Sequence, residues 1–428
     1  MGEQTDRAQR VTGTAQVKPI HPIHPIHPIH PIHPIRLLLV TPRYFPFMGG
    51  IETHVHEVAQ RLAAAGVDVT VLTTDPSGKL PAREEVAQIT IRRVRAWPAR
   101  KDYYFAPEIA RVIAQESWDL IHCQGIHTLV PPLAMRAAVR ANIPFVLTFH
   151  TGGHSSRMRN AVRSLQWMTL RPLLARARAL IGVSAFEADF FRRTLRLPAD
   201  RFVVIRNGGQ LPSLDDTPDA HSISDDAPIV SAAPTETASQ PHSYPLIISI
   251  GRLERYKGHH RVLAALPYVR RELPDARLLI LGSGPYEATL RRLAARLGVA
   301  DATEIRMIHP TDRAGMASTL AAADVVALLS EYEAHPVAVM EALTARRPVL
   351  VAYTSGLREL ADAGLARAIP LRSAPADAAR AIVAQVRNPL IPSDVAFPTW
   401  QDCADALLAV YERVVEEAAH TSGPRSSG

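Results

Sequence analysis

The sequence predicts an α/β protein with two domains, each built around a parallel sheet that is covered by helices on both faces. Short apolar runs alternate with stretches of helical periodicity, as expected for buried parallel strands joined by helices. Residues 213–245 are rich in Asp, Ser, Thr, Pro and Ala, and they divide this alternation into two series. The 428 residues also exceed the length of one ordinary hydrophobic core. We therefore expect two Rossmann-like domains facing each other across a cleft.

The first series predicts an N-terminal domain over residues 36–212. It opens with the apolar run Arg36–Thr41, which predicts a strand, and helical spacing follows from Ile51 to Leu62. Val67–Leu72 then predicts a second strand. Further apolar runs predict strands at 120–122, 145–149, 180–183 and 202–205.

The second series predicts a C-terminal domain over residues 246–397, after a disordered linker or surface insertion at 213–245. A final helix is predicted from Gln401 to Ala418, within a C-terminal segment at 398–420. Strands of the second domain are predicted at 246–251, 277–282, 325–329 and 349–351.

The first 35 residues are predicted to be a disordered low-complexity tail. Residues 21–35 are five consecutive copies of His-Pro-Ile. Proline at every third position excludes helix and sheet and favours polyproline II, which would place the histidines on one face, roughly 9 Å apart. A metal-binding tract is the alternative interpretation, but this spacing is wide for two imidazoles to share one ion.

Composition and charge argue against several classes of protein. The formal net charge of +7 is small for this length and is not typical of a nucleic-acid-binding protein. The two cysteines, Cys123 and Cys403, lie far apart without metal-ligand spacing, so neither a disulfide framework nor a zinc site is indicated. No apolar run reaches the length that spans a bilayer, and the N-terminus lacks a signal-peptide pattern. We expect a cytoplasmic protein.

Two carboxylates, Glu333 and Glu341, are the best indication of function. They follow the predicted strand at 325–329, and Pro336 between them suits the first turn of a helix. Glu333 is then expected in the loop before the helix and Glu341 in its second turn. Both would flank a cleft where free N–H groups favour anions and the carboxylates accept hydrogen bonds from sugar or ribose hydroxyls. The alternative is that both are ordinary solvated residues.

Two further loops after predicted strands suit a phosphorylated ligand, because ligands bind at the carboxyl ends of parallel strands. Gly49 and Gly50 would let the backbone approach a diphosphate, although a glycine pair also serves as a simple turn. The loop Gly251–Gly258 carries Arg252 and Lys257, whose charges can neutralise a diphosphate without a metal ion. A solvated basic loop is the alternative there.

Taken together, these motifs resemble glycosyltransferase family 4, a large retaining family with the two-domain GT-B fold. The resemblance covers residues 36–209 and 246–418. It is carried by the E-x7-E motif of Glu333 and Glu341, the GR-x4-KG loop with Arg252 and Lys257, a GGxExH-like stretch at 49–54, and Thr148-Phe149-His150.

The resemblance implies a role for each matching residue on the donor side. Arg252 and Lys257 would bind the donor diphosphate, and the backbone at Gly49 and Gly50 would pass close to it. Glu333 would bind the donor sugar. The remaining donor-binding residues would be Glu341 at the ribose and the backbone of His335, Pro336 and Val337 at the sugar.

The catalytic residues implied by the resemblance are His150, Glu333, Arg252 and Lys257. His150, after the strand at 145–149, would reach the reacting sugar from the acceptor side. The sugar of a UDP- or GDP-linked donor would pass with retention to a glycan, a lipid-linked or a small-molecule acceptor. The departing phosphate would take the acceptor proton. The sequence contains no D-x-D motif, so neither a metal ion nor a cofactor is expected.

Three departures from the family pattern concern this site. Residues 334–336 read Ala-His-Pro where the family usually has Gly-Phe-Gly, and residues 207–210 read Asn-Gly-Gly-Gln where it often has Asn-Gly-Val-Asp. His309 replaces a glycine near the expected position of the nucleotide base. These departures leave the donor sugar and the base open.

Other functions and partners also stay open in the sequence. A sugar-nucleotide epimerase of the same fold and a non-catalytic nucleotide-sugar-binding protein are both alternatives to a transferase. The basic, partly amphipathic stretch at 151–178 is interpreted as a packed helix with a solvated arginine face. The alternative is peripheral contact with an anionic membrane at its inner face, where a lipid-linked acceptor would lie. The helix within 398–420 would cross back to the N-terminal domain, as in the family.

Overall fold

Two β-sheets, one in each half of the chain, organise the protein. The computed structural model describes residues 34–47, 49–98, 104–150, 157–211, 244–309, 312–393 and 396–422, with side chains at all of them except 157–164 and 422. We call the described residues of 34–211 the N-terminal lobe and those of 244–393 the C-terminal lobe. The predicted tail up to residue 33, the predicted linker at 213–243 and the stretch Thr151–Ser156 lie outside the described residues.

The N-terminal lobe contains an eight-stranded sheet with the order β3-β4-β2-β1-β5-β6-β7-β8, in which β3 runs antiparallel to β4 and the other pairs are parallel. The strands are β1 (Arg36–Val40), β2 (Asp68–Asp75), β3 (Arg83–Val86), β4 (Ile89–Arg95), β5 (Leu120–Gln124), β6 (Phe145–Thr148), β7 (Ala179–Gly182) and β8 (Phe202–Val204). The helices are α1 (Gly50–Ala64), α2 (Glu108–Gln115), α3 (Val130–Ala141), α4 (Arg157–Leu174) and α5 (Ala185–Leu195).

Strand β1 shows why this half of the chain folds as a doubly covered sheet. Leu37 to Val40 are fully buried, and Leu38 lies opposite Thr70 of β2 on one side and Ile121 of β5 on the other. Alternate residues of the strand point to opposite faces, so an uninterrupted apolar run needs a hydrophobic layer on each face. Helix α1 supplies one of these layers with Val55, Val58 and Leu62, which join Leu37 and Leu39 in one buried cluster.

The C-terminal lobe contains a fully parallel six-stranded sheet with the order β11-β10-β9-β12-β13-β14. Its strands are β9 (Leu246–Ile250), β10 (Arg277–Leu281), β11 (Thr303–Arg306), β12 (Val325–Leu328), β13 (Val349–Ala352) and β14 (Arg367–Ile369). Its helices are α6 (His259–Glu272), α7 (Glu287–Arg296), α8 (Arg313–Ala321), α9 (Val337–Thr344), α10 (Leu357–Asp362) and α11 (Pro375–Arg387).

Four strands of the structure were not predicted from the sequence. Three of them, β3, β11 and β14, lie at sheet edges and carry charged residues in short segments, such as Arg83-Glu84-Glu85-Val86. Edge strands tolerate charge because one side faces solvent, and they therefore lack the apolar run that reveals a central strand. The fourth, β4, is Ile-Thr-Ile-Arg-Arg-Val-Arg, whose buried and partly exposed residues alternate.

The last helix, α12 (Trp400–Ser422), packs against α1 of the N-terminal lobe. Its residues Trp400, Leu407 and Tyr411 are fully buried in the same hydrophobic cluster as β1 and α1. The chain after β8 runs beside the residues that lead into α12, and the N–H of Gly209 donates to the carbonyl of Pro398 at 3.3 Å. The domain boundaries stay predictions.

Glycines are required where the two lobes join. A Cβ on Gly208 would lie 2.3 Å from the backbone nitrogen of Trp400, and a Cβ on Gly209 would lie 2.4 Å from the carbonyl carbon of Met340 in α9. These close backbone contacts account for the two glycines, and Gly209 is one of the positions where the chain departs from the family pattern. None of the described helices combines the length and hydrophobicity needed to cross a membrane.

Candidate active site

Two helix N-termini, one from each lobe, meet at the junction of the lobes. A Cβ on Gly50, the first residue of α1, would lie 3.9 Å from a Cγ of Val337, the first residue of α9. Among the described residues, no acceptor is found for the backbone N–H groups of Gly50 and Ile51 or of Val337 and Ala338. Unpaired N–H groups and the positive ends of two helix dipoles therefore converge on one place.

Pro336 lies one position earlier than expected. It is the N-cap residue of α9, with an extended backbone conformation, and the helix begins at Val337. Glu333 precedes the helix and Glu341 lies in its second turn, as predicted. Because Pro336 has no N–H group, the expected donation from the backbone of residues 335–337 can involve only His335 and Val337.

The first turn of α1 carries a buried carboxylate, Glu52, which lies against the glycine before the helix. A Cβ on Gly49 would lie 2.3 Å from a carboxylate oxygen of Glu52, which is 6% exposed. Glu52 lies 3.4 Å from Nε of Arg43 and close to Arg252 of the other lobe. Burial acts to lower the pKa of Arg252, but Tyr256 and Glu52 outweigh it and hold that pKa above its ordinary value. Arg252 is therefore a permanent cation beside the two helix N-termini.

Lys257 and Glu333 form a two-pronged ion pair. Nζ of Lys257 lies 2.8 Å from each carboxylate oxygen of Glu333, and the side chains are 18% and 7% exposed. Burial acts to lower the pKa of Lys257, but the charge of Glu333 outweighs it and raises that pKa. The pair brings the sequence motifs around residues 257 and 333 into contact.

The backbone around this ion pair is fixed by short contacts. Gly258 has a φ of 76°, and a Cβ there would lie 1.9 Å from the carbonyl oxygen of Leu329 at the end of β12. The N–H of Glu333 donates to Oγ of Ser355 at 2.8 Å, and its carbonyl accepts from the N–H of Gly356 at 2.9 Å. These contacts tie the backbone at Gly258 to Leu329 and the backbone at Glu333 to Ser355 and Gly356.

Glu341 pairs with a residue that the sequence did not indicate. Arg313, at the start of α8, donates to Oε1 of Glu341 at 2.7 Å. Its Nε also lies 3.5 Å from Glu57 in α1, so this guanidinium links the two lobes. Burial raises the pKa of Glu341, and Arg313 opposes that rise. The carboxylate expected to bind ribose thus has a protein partner within the described residues.

His150 lies at the end of β6, where its backbone takes up a left-handed conformation with a φ of 45°. Its Nε2 is 2.7 Å from Oε1 of Gln124, the last residue of β5. Gln124 in turn lies against His122, which contacts Thr148 and Tyr411 of α12. All of these side chains are buried. Burial, followed by the neighbouring histidines, holds the pKa of His150 well below its usual range.

A second polar chain connects His150 to the α9 loop. The rings of His54 and His150 meet edge to face, with centroids 4.5 Å apart. Nδ1 of His54 lies 2.9 Å from Oδ1 of Asn207, and Nδ2 of Asn207 donates to the carbonyl of His335 at 2.9 Å. The side chain of Asn207 therefore links α1 of the N-terminal lobe to the loop that carries Glu333.

The structure brings the sequence-predicted residues into one region between the lobes. Gly50 meets Val337, Lys257 meets Glu333, and His150 reaches the same loop through His54 and Asn207. Their individual roles stay predictions. Among the described residues, no group of three or more His, Cys, Asp or Glu side chains is arranged to hold a metal ion.

Several residues of this region were missed by sequence reasoning. Asn207 was named only as part of the Asn-Gly-Gly-Gln motif, and its role as a link was not predicted, although an Asn-Gly pair shortly after a strand signals a turn near a strand end. Arg313, Gln124 and Tyr411 carry no such signal, because a single arginine, glutamine or tyrosine on a regular element is usually structural.

Family models match both halves of the chain. The model described as Glycosyltransferase Family 4 matches residues 48–209, and the model described as Glycosyl transferases group 1 matches residues 235–393. Together they cover well over half of the sequence.

Curated relatives have related activities. A glycogen synthase of Mycobacterium tuberculosis is 28% identical over 76% of this chain and 79% of its own length. A phosphatidyl-myo-inositol mannosyltransferase of Mycolicibacterium smegmatis is 29% identical over 81% of this chain and 84% of its own. A D-inositol 3-phosphate glycosyltransferase of Catenulispora acidiphila is 25% identical over 86% and 91%.

Solved structures share the fold at low sequence identity. The sucrose-phosphate synthase of Thermosynechococcus elongatus has a TM-score of 0.64 at 19% identity and covers 90% of this chain and 98% of its own. The protein HepE of Anabaena, solved with UDP and glucose, has a TM-score of 0.62 at 17% identity, with 90% and 99% coverage. The chain is therefore a glycosyltransferase that belongs to family 4 and has the two-domain GT-B fold.

Proposed function

We propose that this glycosyltransferase uses a nucleotide diphosphate sugar, UDP- or GDP-linked, and transfers its sugar with retention of configuration. One observation carries the proposal: the N-termini of α1 and α9 meet beside Arg252 and Lys257. Unpaired N–H groups, two helix dipoles and two cations suit a diphosphate better than any neutral ligand.

Each side chain has a task in this proposal. Arg252 and Lys257 neutralise the diphosphate as it leaves, which stabilises the charge that develops in the transition state. Glu333, held by Ser355 and Lys257, accepts hydrogen bonds from hydroxyls of the sugar. Glu341 accepts from the ribose, and for this it must exchange Arg313 for ribose hydroxyls.

The proposed reaction uses no metal ion. Arg252 and Lys257 supply the positive charge that a divalent ion would otherwise provide. An oxygen of the departing phosphate takes the proton of the acceptor hydroxyl as that hydroxyl attacks on the same face of the sugar, which gives retention. His150 lies on the acceptor side and orients a hydroxyl at the reaction centre.

For the acceptor we propose a glycan, a lipid-linked or a small-molecule hydroxyl compound, in keeping with the names of the relatives. Helix α4 exposes Leu165 and Met168, which are 63% and 64% exposed, and it carries Arg171, with Arg176 just after its end. Exposed apolar side chains beside cations suit contact with an anionic membrane surface. Binding to vesicles with and without anionic lipid measures that contact, and equal binding to both would contradict it.

Donor choice is tested by thermal shift against UDP-, GDP- and ADP-sugars, followed by turnover with the best donor. Glu333→Gln should lower turnover about 10²-fold or more, because it removes a charged contact to the sugar. Glu331→Gln is the matched control, since Glu331 lies two positions away on the surface and pairs with Arg261. Equal activity of the two variants would remove Glu333 from the site.

The reaction type is tested with the same donor. Product configuration at the anomeric carbon, followed by proton NMR, should match that of the donor, and an inverted product would contradict retention. Activity should survive EDTA, and its loss would contradict the metal-free mechanism. Donor turnover that needs no acceptor would instead support an epimerase or hydrolase.

A further inference from the structure

The hydrogen bond between His150 and Gln124 bears on the tautomer of His150 as well as on the position of its ring. His150 keeps 9% of its surface exposed at the end of β6, and Gln124 beneath it is 1% exposed. The bond from Nε2 of His150 to Oε1 of Gln124 is 2.7 Å long. Which nitrogen of His150 carries the proton therefore depends on which way the amide of Gln124 points.

The surroundings of Gln124 decide that orientation. Its Nε2 lies 3.3 Å from both ring nitrogens of His122, so the amide nitrogen lies over the face of that ring. Both ring nitrogens of His122 have other partners, the hydroxyl of Tyr411 at 2.6 Å and that of Thr148 at 2.8 Å. An N–H group is attracted to the electron-rich ring face, whereas a carbonyl oxygen there would be repelled. Oε1 of Gln124 must then face His150.

It follows that His150 donates through Nε2–H and that Nδ1 carries the lone pair. No described residue forms a hydrogen bond with Nδ1 of His150. Nδ1 is also absent from the fully buried side-chain nitrogen and oxygen atoms of the described residues that lack a partner. Of the two ring nitrogens of His150, Nδ1 is therefore the one without a hydrogen bond to the described residues.

The groups that face His150 reinforce its neutral form. The titratable neighbours are His54 of α1, His122 of β5 and His127 after β5, and each acts to lower the pKa of His150, after burial itself. His54 is neutral as well, because burial lowers its pKa to about 4, although its hydrogen bond with Asn207 acts in the opposite direction. Nδ2 of Asn207 donates to the carbonyl of His335, so Oδ1 of Asn207 accepts from Nδ1–H of His54.

We propose that Gln124 is a positioning residue that holds His150 as the Nε2–H tautomer, so that Nδ1 accepts a hydrogen bond from a substrate hydroxyl. His150 then orients a hydroxyl without charging, and it is not the acid of the reaction. The inference rests on the proposed function for its kinetic consequences, but the tautomer itself does not.

The tautomer is measured directly by ring-nitrogen NMR on protein with ¹⁵N-labelled histidine, with the signals of His150 assigned by their loss in His150→Gln. In the wild type, Nε2 should appear protonated and Nδ1 unprotonated. Gln124→Met, which keeps the size but cannot accept, should give a mixture of tautomers. A protonated Nδ1 in the wild type, or an unchanged tautomer in Gln124→Met, would overturn the proposal.

Kinetics give a second readout. Gln124→Met should lower kcat about tenfold, the effect of one lost hydrogen bond, with donor Kd unchanged. Gln124→Glu keeps an acceptor for Nε2–H, but its negative charge stabilises the imidazolium and so raises the pKa of His150. The activity of this variant should therefore rise with pH through that raised pKa. The activity of the wild type should not change with pH near neutrality. Flat activity in Gln124→Glu would contradict the proposal. Correct tautomers without any sugar transfer would instead contradict the proposed function.

Discussion

The N-terminal and C-terminal sides of the cleft both contain buried polar groups, but they accommodate them in different ways. On the N-terminal side the buried polar groups are neutral: Gln124 contacts His150 and His122 through its amide, and the ring of His54 meets that of His150 edge to face. On the C-terminal side, Lys257–Glu333 and Arg313–Glu341 are charged pairs. Neutral groups suit a surface that orients hydroxyls, whereas an anionic leaving group requires cations. Buried cations are tolerated only with partners, so the charged side keeps its own carboxylates.

The largest effect is expected when the charged side loses a cation. Lys257→Met leaves Glu333 buried without its partner and removes a contact to the diphosphate, so turnover should fall about 10²- to 10³-fold. Lys79→Met is the control, because Lys79 is exposed and far along the sequence from the motif. Turnover by the proposed donor is the measurement. An effect below about threefold in Lys257→Met would show that the charged side does not hold the leaving group.

The stability of the protein at low pH tests the N-terminal side, whose buried histidines are neutral. The folded-state pKa is about 4 for His54 and about 3 for His122, both below the ordinary 6.5. The folded protein therefore binds fewer protons than the unfolded chain. Stability should be unaffected above about pH 6.5 and should fall as pH drops toward these pKa values, by up to about 1.4 kcal/mol per pH unit for each histidine. Buried His259 and His335 of the other lobe add to the slope.

The contribution of the neutral side is isolated by His54→Gln, which retains a donor for Asn207 but does not titrate. The pH dependence of the urea unfolding free energy between pH 4 and 6.5 should flatten in His54→Gln. His420→Gln, an exposed change on α12, should leave the slope as it is. Equal slopes in all three proteins would show that His54 is not kept neutral by folding.

The variant Gly209→Ala tests the backbone contact between the chain after β8 and helix α9 of the C-terminal lobe. The added methyl would lie 2.4 Å from the backbone of Met340, next to Glu341 in α9. We expect a loss of about 1–3 kcal/mol in the free energy of unfolding and weaker donor binding, because α9 must shift. Gly298→Ala is the control: its backbone has a φ of 67°, which strains an alanine, but the added methyl would meet no atom within 4 Å. This variant should lower stability without affecting donor affinity. Unchanged affinity in Gly209→Ala would separate this contact from the site.

The smallest effect is expected at the ion pair between the lobes. Glu57→Gln removes the charge that faces Arg313 at 3.5 Å and also the ion pair of Glu57 with Arg61 in α1, and it leaves the contact of Arg313 with Glu341. Glutamine still accepts hydrogen bonds from both arginines, so stability should change by less than about 1 kcal/mol. Arg313→Gln leaves Glu341 unpaired and should cost clearly more. Urea unfolding at low and high salt measures both variants. Equal losses would show that Arg313 acts mainly between the lobes.

Sequence reasoning found the central strands and the residues at their ends. The strands observed at Arg36–Val40 and Val325–Leu328 were predicted at 36–41 and 325–329, because strands buried on both faces require continuous apolar runs. Glu333 and Lys257 were singled out because ligands bind at strand ends. The edge strand Arg83–Val86 was missed because exposure removes that pattern.

The sequence alone determined the fold class, the family and the position of the candidate site residues after β1, β6, β9 and β12, since periodicity and motif spacing are local properties of the chain. Tertiary structure alone decided the partners: Arg313 for Glu341, Asn207 between His54 and His335, and Gln124 beneath His150. Such pairs are set by how separate elements pack, and side chains distant in sequence carry no record of which neighbour they will meet.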